Sequence, residues 1–280
     1  MTYKVLTLAD LRHVQMPPIP GWEFSTVPPD YGPSSLAQLP LHRGIANSSI
    51  GKFIKESQPH FVVVICEGCS ERRLERFGLI PGPKYITWST DSYRHTIRFT
   101  ASDLHLTALA DAASRSDDHF LPLFGGPNSL MPLAQRRVRC GIVCRPYALG
   151  DGYRECELAR VKEVVPDLVR ETSLEPHEYD VRIRDFAFGL NVPIYPDGLP
   201  NFRSFELGRS GVMPICSSLQ RTLLESLFGE HIRLFDQVDE VPRLLTMPYD
   251  APALKSFYDQ HHSYEARLRQ LFRQFFDLEL

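Results

Sequence analysis

Two side chains of opposite charge, Arg203 and Glu206, lie three residues apart in the sequence. In a helix this spacing puts both on one face of a single turn. A helix N-terminus attracts anions through its unpaired amide groups and its dipole. Arginine adds a bidentate partner for phosphate oxygens, and a carboxylate can accept two hydrogen bonds from a ribose diol. The pair therefore fits a nucleotide diphosphate pocket, although an ordinary ion pair on a solvated helix is the more frequent reason for such spacing.

The residues before this pair predict an irregular loop that leads into a helix. Pro196, Gly198 and Pro200 keep the loop out of regular structure. Asn201 or Ser204 has the side chain of a helix N-cap. The loop and cap together would bring the first turn of the helix to the surface of a pocket.

The residues after the pair predict where the helix ends and a strand begins. Gly208 and Gly211 are typical helix terminators. The apolar run 212–216 is consistent with a short buried strand.

The same segment resembles a motif of a known enzyme family. Residues 201–215 read Asn-Phe-Arg-Ser-Phe-Glu-Leu-Gly-Arg-Ser-Gly-Val-Met-Pro-Ile. This run resembles the R-x-x-E-x-x-x-x-G-x-x-P segment of GT-B glycosyltransferases, in particular the group 1-like and spore-maturation-protein-like family. The resemblance implies that Glu206 binds the ribose of a nucleotide-sugar, for example a UDP-sugar. We expect the donor to be bound by Asn201, Arg203, Ser204 and Glu206.

One position departs from the family pattern. Many retaining members carry a second glutamate eight positions before the ribose-binding one, and here Gly198 occupies that position, with Asp197 beside it. An inverting mechanism that uses a base such as Asp91 is therefore at least as consistent with the sequence as a retaining one.

Polar residues follow two predicted strands of the N-terminal half. Residues 60–66 form a continuous apolar strand, and Glu67 comes directly after it. Ligands in parallel α/β sheets bind beyond the carboxyl ends of the strands. The next strand, 84–88, is followed by Asp91, Tyr93 and His95.

These polar residues are the candidates for the acceptor side of the reaction. Asp91 and His95 are possible general bases, and His95 needs no tuning to titrate near neutral pH. The stretch around them resembles the Pro-Gly, strand, Trp-x-x-Asp feature of the same family. Glu67 and Tyr93 are expected near the acceptor. Alternatively, Asp91 caps a turn and His95 is a solvated loop residue.

The second half opens with a strand, a glycine-bearing loop and a helix. The strand is predicted at 138–144 and the helix at 155–165. Such a unit presents backbone amides to phosphate. It resembles the opening unit of the family's second domain, which makes Arg154 the expected diphosphate contact. Arg145 and Arg154 could equally face solvent.

Strands alternate with helices in both halves, which predicts two parallel-sheet α/β domains. The resemblance implies a GT-B arrangement, in which two Rossmann-like domains face a cleft and a C-terminal helix packs back. The domains are expected at 1–133, for the acceptor, and 134–280, for the donor.

Two further segments give local predictions. Residues 13–43 are rich in proline and predict a long loop. Residues 104–116 are rich in alanine and are compatible with a helix.

Composition limits the class of protein. The chain has 280 residues, 43% of them hydrophobic and 23% charged, as in ordinary globular proteins. A net charge of −3 gives no global case for nucleic-acid binding. The sequence has neither an apolar run that could cross a bilayer nor a signal-peptide pattern, so we expect a cytoplasmic protein without a membrane span.

The six cysteines are too sparse for a disulfide scaffold. Cys66 with Cys69, and Cys140 with Cys144, have spacings that zinc ligands use. In a strand, however, Cys140 and Cys144 would lie about 13 Å apart. Buried reduced thiols are the better interpretation.

Together these features predict a glycosyltransferase that needs neither a metal nor a cofactor. Its partners would be a nucleotide-sugar donor and an unidentified acceptor, which could be a glycan, a protein, a small molecule or DNA. Two alternatives stay open. Gly198 favours a nucleotide-binding protein without catalysis, and arginine pairs such as Arg72–Arg73 are the only support for a DNA-modifying enzyme.

Overall fold

The computed structural model describes residues 2–9, 14, 16–26, 54–66, 81–89, 102–108, 110, 113, 118–144, 152–172, 176–193 and 200–280. The chain divides into two compact units. The first comprises Met1–Pro122 and Arg267–Leu280, and the second comprises Leu123–Ala266. The division after residue 122 lies within the turn-rich passage 121–133. The boundary expected from the sequence, between residues 133 and 134, lies at the end of this passage.

The first unit contains a six-stranded parallel sheet in the order β2-β1-β3-β4-β5-β6. The strands are β1 (Tyr3–Ala9), β2 (Trp22–Thr26), β3 (Phe61–Cys66), β4 (Lys84–Ser89), β5 (Leu104–Thr107) and β6 (His119–Phe120). Apolar residues of β1, β3 and β4 are buried at its centre. The predicted positions of β3 and β4 are confirmed.

Two predictions for this unit are wrong. The proline-rich segment contains an edge strand, β2, which pairs with β1 from Tyr3↔Trp22 to Thr7↔Thr26. Residues 104–107, predicted to be helical, form β5 and pair with β4. In both cases pairing with a neighbouring strand decides the conformation of four or five residues, which is too short a run for local propensity to reveal.

The second unit contains a five-stranded parallel sheet in the order β11-β10-β9-β7-β8. Its strands are β7 (Val138–Val143), β8 (Val169–Glu171), β9 (Phe186–Asn191), β10 (Met213–Ser217) and β11 (Arg233–Phe235). Its helices are α1 (Tyr153–Val164), α2 (Pro176–Arg184), α3 (Phe202–Arg209), α4 (Arg221–Phe228), α5 (Val241–Leu244), α6 (Ala251–His261) and the start of α7 (Tyr264–Phe276).

The strand order creates a switch point in each sheet. In the second sheet β7, the first of its strands in the sequence, lies between β8 and β9. The chain therefore winds in opposite directions on the two sides of β7, and sheets of this type bind ligands beyond the carboxyl ends of the strands at the switch point, here β7 and β9. The first sheet has the same order, with β1 between β2 and β3. The prediction of two Rossmann-like parallel-sheet α/β units is confirmed.

The end of the chain returns to the first unit, which begins again at Arg267 within α7. Phe272 lies with its ring centroid 4.8 Å from that of Phe61 and 4.9 Å from that of Trp22. The indole N–H of Trp22 donates to the carbonyl of Glu279 at 3.1 Å. The apolar face of α7 repeats at three-to-four spacing through Leu268, Leu271, Phe272, Phe275 and Phe276. This face packs against β2 and β3, as expected for a C-terminal helix that packs back.

Within the described ranges, no helix combines the length and the apolar character that a membrane crossing requires.

Candidate functional site

The residues predicted to bind the donor lie at the switch point of the second sheet. Asn191 is the last residue of β9 and is fully buried. Cys216, its register partner on β10, is also fully buried. The loop 194–199 lies outside the described residues, and α3 starts at Phe202. Arg154, near the start of α1, approaches the same strand end from the side of β7.

Asn191 connects the predicted donor residues to one another. Its amide nitrogen donates to Asn201 Oδ1 at 2.9 Å and to Ser204 Oγ at 2.7 Å. Its amide oxygen accepts from Arg203 Nη1 at 3.3 Å. Asn191 was not among the residues predicted from the sequence. The pattern that could have identified it is a polar residue at the end of an apolar strand, directly before a polar loop.

Asn201 is the N-cap residue of α3, but its side chain does not cap the helix. Its backbone is extended, with φ −106° and ψ 174°, and no cap hydrogen bond is formed by the side chain. Its oxygen accepts from Asn191 instead. The Asn201 carbonyl accepts from the Ser204 amide at 3.0 Å. Because the Asn201 side chain does not cap the turn, the amides of Phe202 and Arg203 are the donors that this helix start offers to an incoming anion.

Arg203 has unused hydrogen-bonding capacity. Among the described residues its guanidinium makes only the long hydrogen bond to Asn191, and its buried Nε has no partner. The ion pair with Glu206 that the spacing allows is not formed. A guanidinium has five N–H donors, and a buried donor without a partner costs about 1–3 kcal/mol. An anion bound here would recover that free energy.

Glu206 is half-buried, and its Oε2 accepts a hydrogen bond from the Tyr179 hydroxyl at 2.5 Å. Burial and the negative charge of Glu206 raise the pKa of Tyr179 well above its usual value. The phenol therefore stays protonated and donates at every physiological pH. Tyr179 lies on α2, 27 residues before Glu206, and nothing in the sequence pattern pointed to it.

Arg154, the second residue of α1, is buried at 6% exposure, and its Nε donates to the Val192 carbonyl at 3.0 Å. The alternative that it faces solvent is wrong. Gly152, just before the helix, has φ +71°, a left-handed conformation that glycine adopts without strain. Arg154 therefore lies at the end of β9, where the donor is expected, and its contact with a diphosphate stays a prediction. Arg145 lies outside the described residues.

Close packing brings α3 down onto the sheet. A Cβ at Gly189 of β9 would lie 2.2 Å from a methyl carbon of Leu207, and a Cβ at Gly208 would lie 2.3 Å from the Tyr258 ring. Gly208 is therefore an interior packing position of a helix that runs on to Arg209, and its prediction as a helix end is wrong. Gly211, at φ +67°, makes the turn into β10.

The thiols of this sheet are not reactive groups. Cys140, Cys144 and Cys216 are buried and unpaired, as the interpretation as reduced thiols predicts for the first two. Burial raises the pKa of Cys140 and of Cys216 to about 12. In the part of the chain that the structure describes, no three His, Cys, Asp or Glu side chains are grouped so as to hold a metal ion.

The predicted acceptor-side residues Glu67, Asp91, Tyr93 and His95 lie outside the described residues. Glu67 directly follows β3 and the other three follow β4 in the sequence, and their placement on the acceptor side stays a prediction.

No protein-family profile and no curated protein matches this chain. Distant similarity exists to solved structures. "Spinosyn Rhamnosyltransferase SpnG complexed with thymidine diphosphate" is 11% identical over 96% of this chain and 100% of that chain, with a TM-score of 0.43. "Spinosyn Forosaminyltransferase SpnP" is 11% identical over 98% of this chain and 99% of that one, with a TM-score of 0.47.

A putative UDP-N-acetylglucosamine 2-epimerase from Listeria monocytogenes is equally similar. It is 11% identical over 100% of this chain and 98% of that one, with a TM-score of 0.47. At such identities and TM-scores these similarities decide nothing about function, and transferases and an epimerase occur among them side by side.

Proposed function

We propose that this protein is a glycosyltransferase that moves a sugar from a nucleotide-sugar donor to an acceptor. The observation that carries the proposal is the buried Nε of Arg203 at the switch point of the second sheet, which has no partner within the described part of the chain. It lies one helical turn from Glu206, within the segment that resembles the donor-binding motif of GT-B enzymes.

In this proposal each side chain of the cluster has a role set by its chemistry. Arg203 and Arg154, with the amides at the start of α1 and α3, bind the donor diphosphate. The Glu206 carboxylate accepts hydrogen bonds from the ribose hydroxyls. Asn191 holds Asn201, Arg203 and Ser204 in place. Two arginines and helix amides supply enough positive charge to stabilise the leaving diphosphate without a metal ion.

The acceptor side of the proposal depends on Asp91 and His95. One of them would remove the proton from an acceptor hydroxyl as its oxygen attacks C1 of the sugar. The bond between C1 and the diphosphate oxygen then breaks, and the diphosphate leaves with the electron pair. Glu67 and Tyr93 would orient the acceptor. Gly198, in place of the second glutamate, favours this inverting course.

Binding and transfer are tested separately. Purified protein is screened by thermal shift against nucleoside diphosphates and nucleotide-sugars, because a ligand stabilises the state that it binds. Donor hydrolysis and transfer to simple acceptors are then assayed. We expect Arg203→Ala and Glu206→Ala to abolish transfer while the fold persists.

Arg221→Ala is the matched control for these variants. Arg221 starts α4 in the same unit, but it is exposed and paired with Glu225 and Asp236. Transfer that survives both Arg203→Ala and Glu206→Ala would exclude the proposed site.

Gly198 also supports a second candidate, a nucleotide-binding protein without catalysis. It predicts the same binding results but neither hydrolysis nor transfer with any nucleotide-sugar. Donor turnover by the purified protein would exclude it.

A further inference from the structure

We propose that Tyr179 is a positioning residue of the donor site, whose hydroxyl holds the Glu206 carboxylate in the orientation that accepts the ribose diol. The inference rests on the proposed function and deepens it, because it assigns the ribose preference of the site to a pair of residues on different helices.

The position of the Tyr179 ring is fixed by apolar packing. The ring packs against a buried cluster beneath α2 and α3. Its members are Val143, Ile183, Phe186, Leu207 and Val212. Leu207 directly follows Glu206 on α3, so the cluster that holds the ring also holds the helix that carries the carboxylate. The hydroxyl therefore has little freedom relative to Glu206.

The hydrogen bond from Tyr179 uses only part of the acceptor capacity of a carboxylate. Each carboxylate oxygen has two lone pairs, and the Tyr179 hydroxyl donates to Oε2. A hydrogen bond to an ionised acceptor is stronger than one between neutral groups, and it favours one rotamer of a half-buried glutamate. A diol gains from a carboxylate whose plane is already set, since less side-chain entropy is lost on binding.

A purely structural role is the competing explanation. The same hydrogen bond joins α2 to α3, and its loss would lower stability whether or not a nucleotide is recognised. The two explanations differ in one measurable quantity, the ratio of affinities for a ribonucleotide and for the same nucleotide without its ribose hydroxyls.

The experiment measures that ratio by calorimetry. The tightest binder among UDP, GDP, ADP and CDP is compared with its 2′,3′-dideoxy analogue. The proteins are wild type, Tyr179→Phe, Glu206→Gln and the double variant. Tyr179→Met, which lacks the hydroxyl and fills the same apolar space, serves as a second variant if Tyr179→Phe does not fold.

Tyr258→Phe is the matched control. The Tyr258 ring also packs on α3, against Gly208, but its hydroxyl donates to the His231 carbonyl at 3.2 Å, away from Glu206.

We expect wild type to prefer the ribonucleotide about tenfold, the value of one charge-assisted hydrogen bond. Tyr179→Phe should bring the ratio close to one while affinity for the dideoxy analogue changes by less than about twofold. Glu206→Gln should do the same, the double variant should lose nothing more, and Tyr258→Phe should keep the wild-type ratio.

Several results would overturn the inference. They are an unchanged ratio in Tyr179→Phe, an equal loss of affinity for both nucleotides, and the same change in Tyr258→Phe. If wild type itself shows no ribose preference, the proposed role of Glu206 fails first. An intact preference that survives loss of the Tyr179 hydroxyl removes only Tyr179.

Discussion

The arginines at the two ends of the second sheet differ in how fully the protein satisfies their hydrogen-bond donors. At the amino end, Arg136 donates from Nε and Nη2 to the Met131 carbonyl and from Nη1 to the Phe186 carbonyl and the Tyr249 hydroxyl. Arg233 donates to the carbonyls of Leu244 and Pro248. At the carboxyl end, Arg203 makes one long hydrogen bond and keeps a buried Nε without a partner among the described residues.

The difference lies in how many guanidinium donors have a protein acceptor, not in residue type or burial. Arg136 and Arg233 are surrounded by protein acceptors, and Arg233 also lies 5.1 Å from the centre of the Phe188 ring. Burial lowers the pKa of both, yet their donors are satisfied by the fold itself. A guanidinium whose donors lack protein acceptors is typical of a site where a bound ligand supplies the acceptor. The comparison therefore distinguishes arginines whose donors the fold satisfies from Arg203, which we propose binds the donor diphosphate. Arg170 of β8 also has a buried Nε without a partner in the described ranges, but its Nη1 and Nη2 both donate to Glu155.

The largest expected effect is on stability at the amino end. Arg136→Met leaves the Met131 and Phe186 carbonyls and the Tyr249 hydroxyl without their donor. We expect the free energy of unfolding to fall by about 3 kcal/mol, because each unsatisfied buried acceptor costs about 1–3 kcal/mol. Urea unfolding followed by circular dichroism measures the loss.

Nucleotide affinity is the control for this variant. Folded Arg136→Met should bind the nucleoside diphosphate as wild type does, since the site lies at the other end of the strands. Weakened binding at unchanged stability would contradict the division of roles between the two ends.

At the carboxyl end the expected effects are reversed. Arg203→Met removes a charge-assisted phosphate partner, so affinity for the nucleoside diphosphate should fall about tenfold to a hundredfold. The free energy of unfolding should not fall and should rise by up to about 1–3 kcal/mol, because Arg203→Met removes a buried donor that has no partner among the described residues. Calorimetric titration and urea unfolding measure the two quantities on one protein preparation.

Arg221→Met provides the surface reference, and neither quantity should change appreciably. A large loss of stability in Arg203→Met would show that Arg203 is a structural arginine like Arg136.

The smallest expected effect is the pH dependence of the amino end. Asp185 accepts from Arg137 Nη2 at 2.7 Å, and this side-chain hydrogen bond holds the pKa of Asp185 below its usual value. A lowered folded-state pKa contributes stability that is present above the ordinary carboxyl pKa and is lost as pH falls through the folded-state pKa. Asp185→Asn should therefore cost about 1 kcal/mol at pH 7, since Arg137 is largely exposed.

The measurement is urea unfolding of wild type and Asp185→Asn between pH 7 and pH 3. The difference between their free energies of unfolding should narrow as pH falls. The substitution should leave nucleotide affinity at pH 7 unchanged. A gap that stays constant with pH would show that the Asp185 charge is not what stabilises this end.

Part of this molecule could be predicted from local sequence. The continuous apolar run 61–65 identifies a central parallel strand because both of its faces are buried, whatever its neighbours. Two short strands have no such signal. The edge strand β2 lies among prolines, and β5, between β4 and β6, is followed by alanines. Their conformation is set by pairing with β1 and β4, which local propensity does not encode.

The candidate site divides in the same way. Arg203 and Glu206 were found because their spacing on one helical turn is a local property. Asn191 and Tyr179 were not, because a strand end and another helix bring them to α3 from distant parts of the sequence. The expected function of Gly208 as a helix end was wrong for a related reason, since only the approach of the Tyr258 ring shows why that position lacks a side chain.

The sequence by itself determined the class of fold and the short helix with its arginine and glutamate, because both depend on residues that are neighbours in the chain. Tertiary structure decided which guanidinium donors lack a protein acceptor and which hydroxyl donates to the Glu206 carboxylate. Hydrogen-bond satisfaction depends on acceptors that the fold brings from elsewhere, and no local pattern records where those acceptors will be.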